Sequence, residues 1–255
     1  MHTALAEDLS QTWPELSGGI VGSAENFLQT KPLDSQAKRQ KLEQLLNRAD
    51  IWQAANEPRR QCSAIASGYP GLDALLTGHG WPRGATTELL LNQTGIGEFT
   101  LLLPALAELT QHQQTVILIN PPHIPYAPAL ANSGIRLENL LILHPRGPKD
   151  RLWAIEQSLQ SGSCGALLSW QDRQIPNHKD LRRLQVAART GDCLHFHFRP
   201  QSESTNPSPA SLRLKLESAG EQLALNLLKQ LGGPSGQHLY LARTARLVHR
   251  DQPLH

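Results

Sequence analysis

The chain has 255 residues, 39% of them apolar and 18% charged, with a formal net charge of +2; this suits one globular domain with appendages. So small a net charge excludes a generally basic nucleic-acid binder and leaves only a local patch. The longest apolar runs, "TLLLPALAEL" and "TVILIN", fall short of the roughly 18 residues of a membrane span. The amino end "MHTALAEDLSQTW" lacks the basic start of a secretory signal, so the expected location is the cytoplasm.

Residues 1–36 mix Ser, Gln, Gly, Thr and Pro without a sustained period and read as a flexible tail. From a candidate N-cap at Asp34 or Ser35, Leu42, Leu45, Leu46, Ala49 and Trp52 recur at helical spacing, with charged residues on the other faces. An amphipathic helix and the linker "NEPRRQCSA" fill residues 37–62, a core domain spans 63–247, and 248–255 form a short tail. Within the core, "SGYPGLDALLTGHGWPRG" is turn-rich around one short helix. There follow the strand "TTELLL", a loop, the helix "FTLLLPALAELTQH", the strand "TVILIN" and the short helix "YAPALANSG" closed by Gly134. Next come the strand "NLLILHP", a helix ended by Gly162, the strand "GALLSWQ", a helix ended by Gly191 and the strand "CLHFHF". This alternation predicts an α/β fold, a mostly parallel sheet with helices on both faces. The late runs "SLRLKLES", "QLALNLLKQL" and "HLYLART" read as antiparallel strands added at one edge. Cys62, Cys164 and Cys193 are far apart in sequence without a C-x-x-C pair, which points to buried free thiols.

The loop between "TELLL" and the next helix, Asn92 to Thr100, has the position of a phosphate-binding loop. Such a loop, G-x-x-x-x-G-K-[ST], cradles phosphates on backbone amides, neutralises them with lysine and holds magnesium through a hydroxyl. Laid over it, Gly97 alone matches: Asn92 replaces the first glycine, Glu98 the lysine and Phe99 the hydroxyl. At about 4 Å and an effective dielectric near 20, a unit charge on a phosphate is worth roughly 4 kcal/mol, so glutamate for lysine turns attraction into repulsion of that order. Thr100 stands one residue on, turned about 100° around the helix. The bland reading is that "TGIG", with Gly95, is a tight strand-to-helix turn.

The segment "IASGYPGLDALLTGHGWPRGATTELLL", the degenerate loop in register, "VILINPPHIPYAPALANSGIRLENLLILHP" and the late strands resemble RecA. The chain is still more similar to the ImuA family of RecA/SulA-like translesion-synthesis proteins, through "TELLL", "GIGE", "LLLPALA", "NPPHIPYAPAL", "FRP" and "PSPASLRLKL", over residues 42–247. The resemblance implies a RecA-like P-loop NTPase-type core that has given up nucleotide: no catalytic residue, no cofactor and no metal. Where the RecA pattern carries a catalytic glutamate this chain has Asn120-Pro121-Pro122-His123, and where it carries the Walker B acid it has Ser169, Trp170 and Gln171. Lys229 falls where RecA has a trans-acting lysine, but the second basic position is Leu231.

The implied function is a non-catalytic scaffold of a damage-inducible (SOS) mutasome. Its partners would be an ImuB-type Y-family-like polymerase subunit, an error-prone C-family polymerase in the same assembly, and RecA. The alternatives are a SulA-like inhibitor of the tubulin-like division protein and, behind it, a weak ATPase. Leu42, Leu45, Leu46 and Trp52 are the candidate partner anchors, by analogy with the RecA N-terminal helix, or else ordinary core. Arg182, Arg183 and Arg199 are candidate weak DNA-backbone contacts, or else a solvated face. His195 and His197 share one strand face. A metal pair would need a third ligand, and packed histidines are the plainer reading.

Overall fold

A computed structural model describes residues 63–171 and 176–242. The core opens with a two-residue antiparallel pair, β1 (Ala64–Ile65) and β2 (Trp81–Pro82), around α1 (Pro70–Leu75). Strand β3 (Ala85–Leu91) follows, then a 3-10 turn (Thr100–Leu102) and α2 (Leu103–Gln111). The chain continues through β4 (Thr115–Ile119), α3 (Ala127–Asn132), β5 (Leu140–Leu143), α4 (Pro148–Gln160) and β6 (Cys164–Trp170). It ends with α5 (His178–Thr190), β7 (Leu194–Pro200), β8 (Leu212–Ala219), β9 (Gln222–Gln230) and β10 (Gln237–Ala242).

Eight strands form one sheet in the order β10-β9-β8-β3-β7-β6-β4-β5. From β8 to β5 all neighbours are parallel, while β9 and β10 add antiparallel at one edge. The late strands therefore differ from expectation at one point: β8 pairs parallel with β3. It can do so because the connection leaving β7 crosses β3 before β8 begins.

Strand alternation sends side chains to two cores. On one face Leu89, Leu118, Leu168, Phe196 and Leu214 pack under α1 and α2, through residues such as Leu72, Ala105 and Leu106. On the other, Ile117, Ile119 and Leu167 pack under α4 and α5, through Ile155, Leu159, Leu184, Ala187 and Ala188. The expected helices on both faces are present. The helix after the loop starts late: Thr100–Leu102 is 3-10, and the α-helix begins at Leu103 with Pro104 in its first turn, where a missing N–H costs nothing.

Candidate functional site

Strand β3 is buried along its whole length and delivers the loop to the C-terminal edge of the parallel sheet, between β7 and β8. Asn92, Gln93, Thr94 and Gly95 are exposed, whereas Ile96 drops into the first core. Gly95 and Gly97 have φ of +83° and +104°, conformations that leave their amides free to converge. What they converge on is the chain's own glutamate. Glu98 Oε1 accepts from Gly95 N at 2.8 Å and Oε2 from Gly97 N at 3.1 Å, and the residue is only 6% exposed. The carboxylate thus takes the donors that a bound anion would take. Glu98 both repels an incoming phosphate and occupies the amides that would hold it. Phe99 is half-buried against the first core, and Thr100 is half-buried, its carbonyl accepting from Tyr69 Oη at 3.3 Å.

The neighbouring strand ends are equally spoken for. Asn120, with φ of +50°, donates its backbone N–H to Leu143 O at 2.9 Å, and its side-chain oxygen, suitably oriented, accepts from Arg151. Trp170 stacks on Phe198 with ring centroids 4.6 Å apart. Ser169 is fully buried and bridges the two histidines, 2.9 Å from His195 Nε2 and 2.8 Å from His197 Nδ1, while Thr86 Oγ1 lies 3.0 Å from His195 Nδ1. The pair therefore forms a packed hydroxyl–imidazole chain. Among the described residues no group of three His, Cys, Asp or Glu could hold a metal ion. Burial drives the His195 imidazole well below its ordinary range, with His197 adding to it. Burial also lowers His197 to about 4, against the opposing pull of the Glu88 carboxylate.

On the face of β3 opposite the first core, the sheet carries buried charges instead of apolar side chains. Glu88 Oε1 accepts from Arg199 Nη1 at 2.9 Å and from Ser208 Oγ at 2.6 Å, and Oε2 accepts from Arg213 Nε at 2.7 Å. Arg199 also donates to Gln171 Oε1 and Glu203 Oε2, and Arg213 to the carbonyls of Glu203 and Ser204. Burial raises the Glu88 carboxyl, but the Ser208 hydroxyl and the two guanidiniums outweigh it and hold the group below its ordinary value. Sequence reasoning missed this network. Its signal was a single glutamate in the run "TTELLL" and single arginines in "CLHFHFRP" and "SLRLKL".

Arg199 must consequently be withdrawn as a DNA contact: it is 3% exposed and all three of its donor nitrogens used here face acceptors inside the protein. Arg183 pairs with Glu156 and Asp180, and Arg182 is exposed on α5. Lys229 donates to Ser208 O at 2.8 Å. Leu42, Leu45, Leu46 and Trp52 lie outside the described residues. The block "NPPHIPYAPAL" forms the connection after β4 and holds the two most exposed large apolar side chains described, Ile124 at 85% and Tyr126 at 73%. No described helix is long and apolar enough to cross a membrane.

A family model described as "Cell division inhibitor SulA" matches residues 84–195, from the start of β3 into β7. Among similar proteins, the cell division inhibitor SulA of Pectobacterium atrosepticum is 27% identical over 135 residues, covering 53% of this chain and 80% of that protein. SulA of Photorhabdus laumondii is 31% identical over 118 residues, 46% of this chain and 64% of that one. Protein RecA 1 of Myxococcus xanthus is 30% identical over 131 residues, 50% of this chain and 37% of that one. The chain is thus SulA-like from the start of β3 into β7, and similar to RecA over about half its length.

Proposed function

We propose that this chain is a non-catalytic accessory subunit that works by binding other proteins. The observation that carries the reading is the seat of Glu98, whose carboxylate occupies the two loop amides a phosphate would need. A RecA-type enzyme also needs a carboxylate base and a metal ligand, and the corresponding strand ends here carry Asn120 and Ser169. On this reading the core is a RecA-like P-loop fold retained as a scaffold. The parallel sheet with its loop strand in the middle and antiparallel strands at one edge supports that.

The finer reading is an ImuA-type subunit of an SOS-induced translesion-synthesis assembly, holding an ImuB-type Y-family-like polymerase subunit beside an error-prone C-family polymerase, with RecA as a further partner. The "GIGE" loop, the "NPPHIPYAPAL" block and the late motif "PSPASLRLKL", which lies beyond the SulA-matched residues 84–195, support it. A second reading, inhibition of the tubulin-like division protein, is favoured by the SulA match. Calorimetry with Mg-ATP tests the shared premise, and micromolar binding by the native protein would overturn it. Pull-downs with an ImuB-type subunit and with the division protein separate the two readings: capture of the first alone supports the mutasome, capture of the second alone the inhibitor.

A further inference from the structure

Cys164 and Cys193, distant in sequence, are neighbours in the fold. Strands β6 and β7 are adjacent and parallel, with Ala166 opposite Leu194. Simple alternation would send Cys164 to the same face as Ala166, into the first core. The register of β6 against β4 slips instead between Thr115, opposite Cys164, and Val116, opposite Ala166, so Gly165 is an extra residue. Such a bulge re-aims the side chain beside it, and Cys164 joins Cys193 in the second core. Gly165 suits the slip because a Cβ there would lie 2.7 Å from the Gln114 side chain. With strands about 4.8 Å apart and a rise of about 3.3 Å per residue, diagonal neighbours have Cα atoms about 6 Å apart. That lies within the span of about 4.4–6.8 Å that a disulfide bridges. Both side chains lie in one buried cluster, each thiol donating to a nearby carbonyl, Cys164 Sγ to Ala166 O at 3.2 Å and Cys193 Sγ to Leu194 O at 3.4 Å. The neighbouring Cys164 thiol, and then burial, push the Cys193 thiol far up.

We propose that Cys164 and Cys193 are a reversible disulfide site, joined by hydroperoxides when the N-terminal edge of the sheet opens. Both residues are buried in the closed fold, at 2% and 0% exposure, and a buried protonated thiol is a poor nucleophile. Each, however, stands one residue from the surface, next to exposed Ser163 and exposed Asp192. Local opening of these two strand starts is all that access requires. On opening, one thiol loses its proton to water and attacks a peroxide oxygen; the O–O bond breaks, giving a sulfenic acid and one water. The second thiol then attacks the sulfenic sulfur, and the S–O bond breaks with loss of a second water. The two thiols are oxidised by two electrons in total, and the hydrogen peroxide is reduced. The bridge ties the strand start after α4 to the strand start after α5. A thiol reductant reverses it.

The test uses the full chain carrying Cys62→Ser, which removes the one cysteine outside the described residues. After hydrogen peroxide treatment the protein is denatured, alkylated and mapped by mass spectrometry. The expected result is coupled loss of both alkylatable thiols, one intramolecular Cys164–Cys193 peptide, its reversal by dithiothreitol, and a higher melting temperature for the oxidised form. Two free thiols after an oxidation that consumes an exposed model thiol would overturn the proposal. So would sulfinic acid or intermolecular links in place of the internal bridge.

Discussion

A single side chain decides what the loop after β3 can do. Glu98 answers Gly95 N and Gly97 N from within, so Glu98→Ala strands two amides and should lower stability by about 1–3 kcal/mol. Glu98→Gln, which keeps an acceptor oxygen, should lose less, and urea unfolding of both variants checks the order. Equal losses would show that the amides are indifferent to the carboxylate. The histidines make the second prediction. His197, near Glu88, Arg199 and His195, has a folded pKa of about 4, below its ordinary 6.5, and His195 shifts the same way. Between these values the unfolded chain binds more protons than the folded one, so stability is complete above about pH 6.5 and is lost as pH falls towards 4. The slope should approach about 1.4 kcal/mol per pH unit for each histidine. Substituting His197→Asn should flatten it, and an unchanged slope in that variant would assign the pH dependence elsewhere.

At the scale of elements, the connection from β7 to β8 does the covering that a helix does elsewhere. Its 3-10 turn, Gln201–Thr205, packs on β3 and β7 and brings Glu203 to Arg199. None of this was legible in the sequence, because Glu88 meets Arg199 and Arg213 across separations of 111 and 125 residues, and only the strand order makes them neighbours. The strands β3, β4, β6 and β7 were legible, since a strand buried on both faces is a short apolar run bounded by turn residues. The pair β1–β2, two residues each, is too short to show a period. The glycines that end α4 and α5 were found for a reason that holds for only one of them. Gly162 has φ of +71° and open space where a Cβ would stand. Gly191 has a negative φ, but a Cβ there would fall 1.9 Å from Leu159 O. Gly162→Ala should therefore cost about 1–2 kcal/mol of left-handed strain, and Gly191→Ala more, because the obstacle is backbone that cannot turn aside. Urea midpoints rank the two, and the reverse order would place the constraint in the dihedral angle after all.

For the molecule as a whole, charge and exposed surface point to different partners. Arg199 and Lys229 are engaged internally, and with Arg183 paired the other exposed cations on α5 are Lys179, Arg182 and Arg189. DNA affinity should then be weak and electrostatic and should collapse between low salt and about 200 mM; a sequence preference that survives high salt, seen by fluorescence anisotropy, would contradict this. The protein-binding surface is better supplied. The connection after β4 holds Ile124 and Tyr126 in solvent between Pro122, Pro125 and Pro128. Proline fixes φ, so little conformational freedom remains to be lost when the two side chains enter a partner's pocket. They stand as candidate anchors beside the sequence-predicted stripe of Leu42, Leu45, Leu46 and Trp52. The variant Ile124→Ala with Tyr126→Ala removes no core contact, so its melting free energy should stay within about 0.5 kcal/mol of the native value. Its partner affinity should fall at least about tenfold if either residue carries a hot spot. Leu45→Ala with Leu46→Ala, measured in parallel against the same ImuB-type subunit and the same division protein, shows which partner uses which anchor. Full binding to both partners by both variants would leave the exposed loop and the N-terminal stripe without a docking role, and the scaffold reading would then have to rest on another surface.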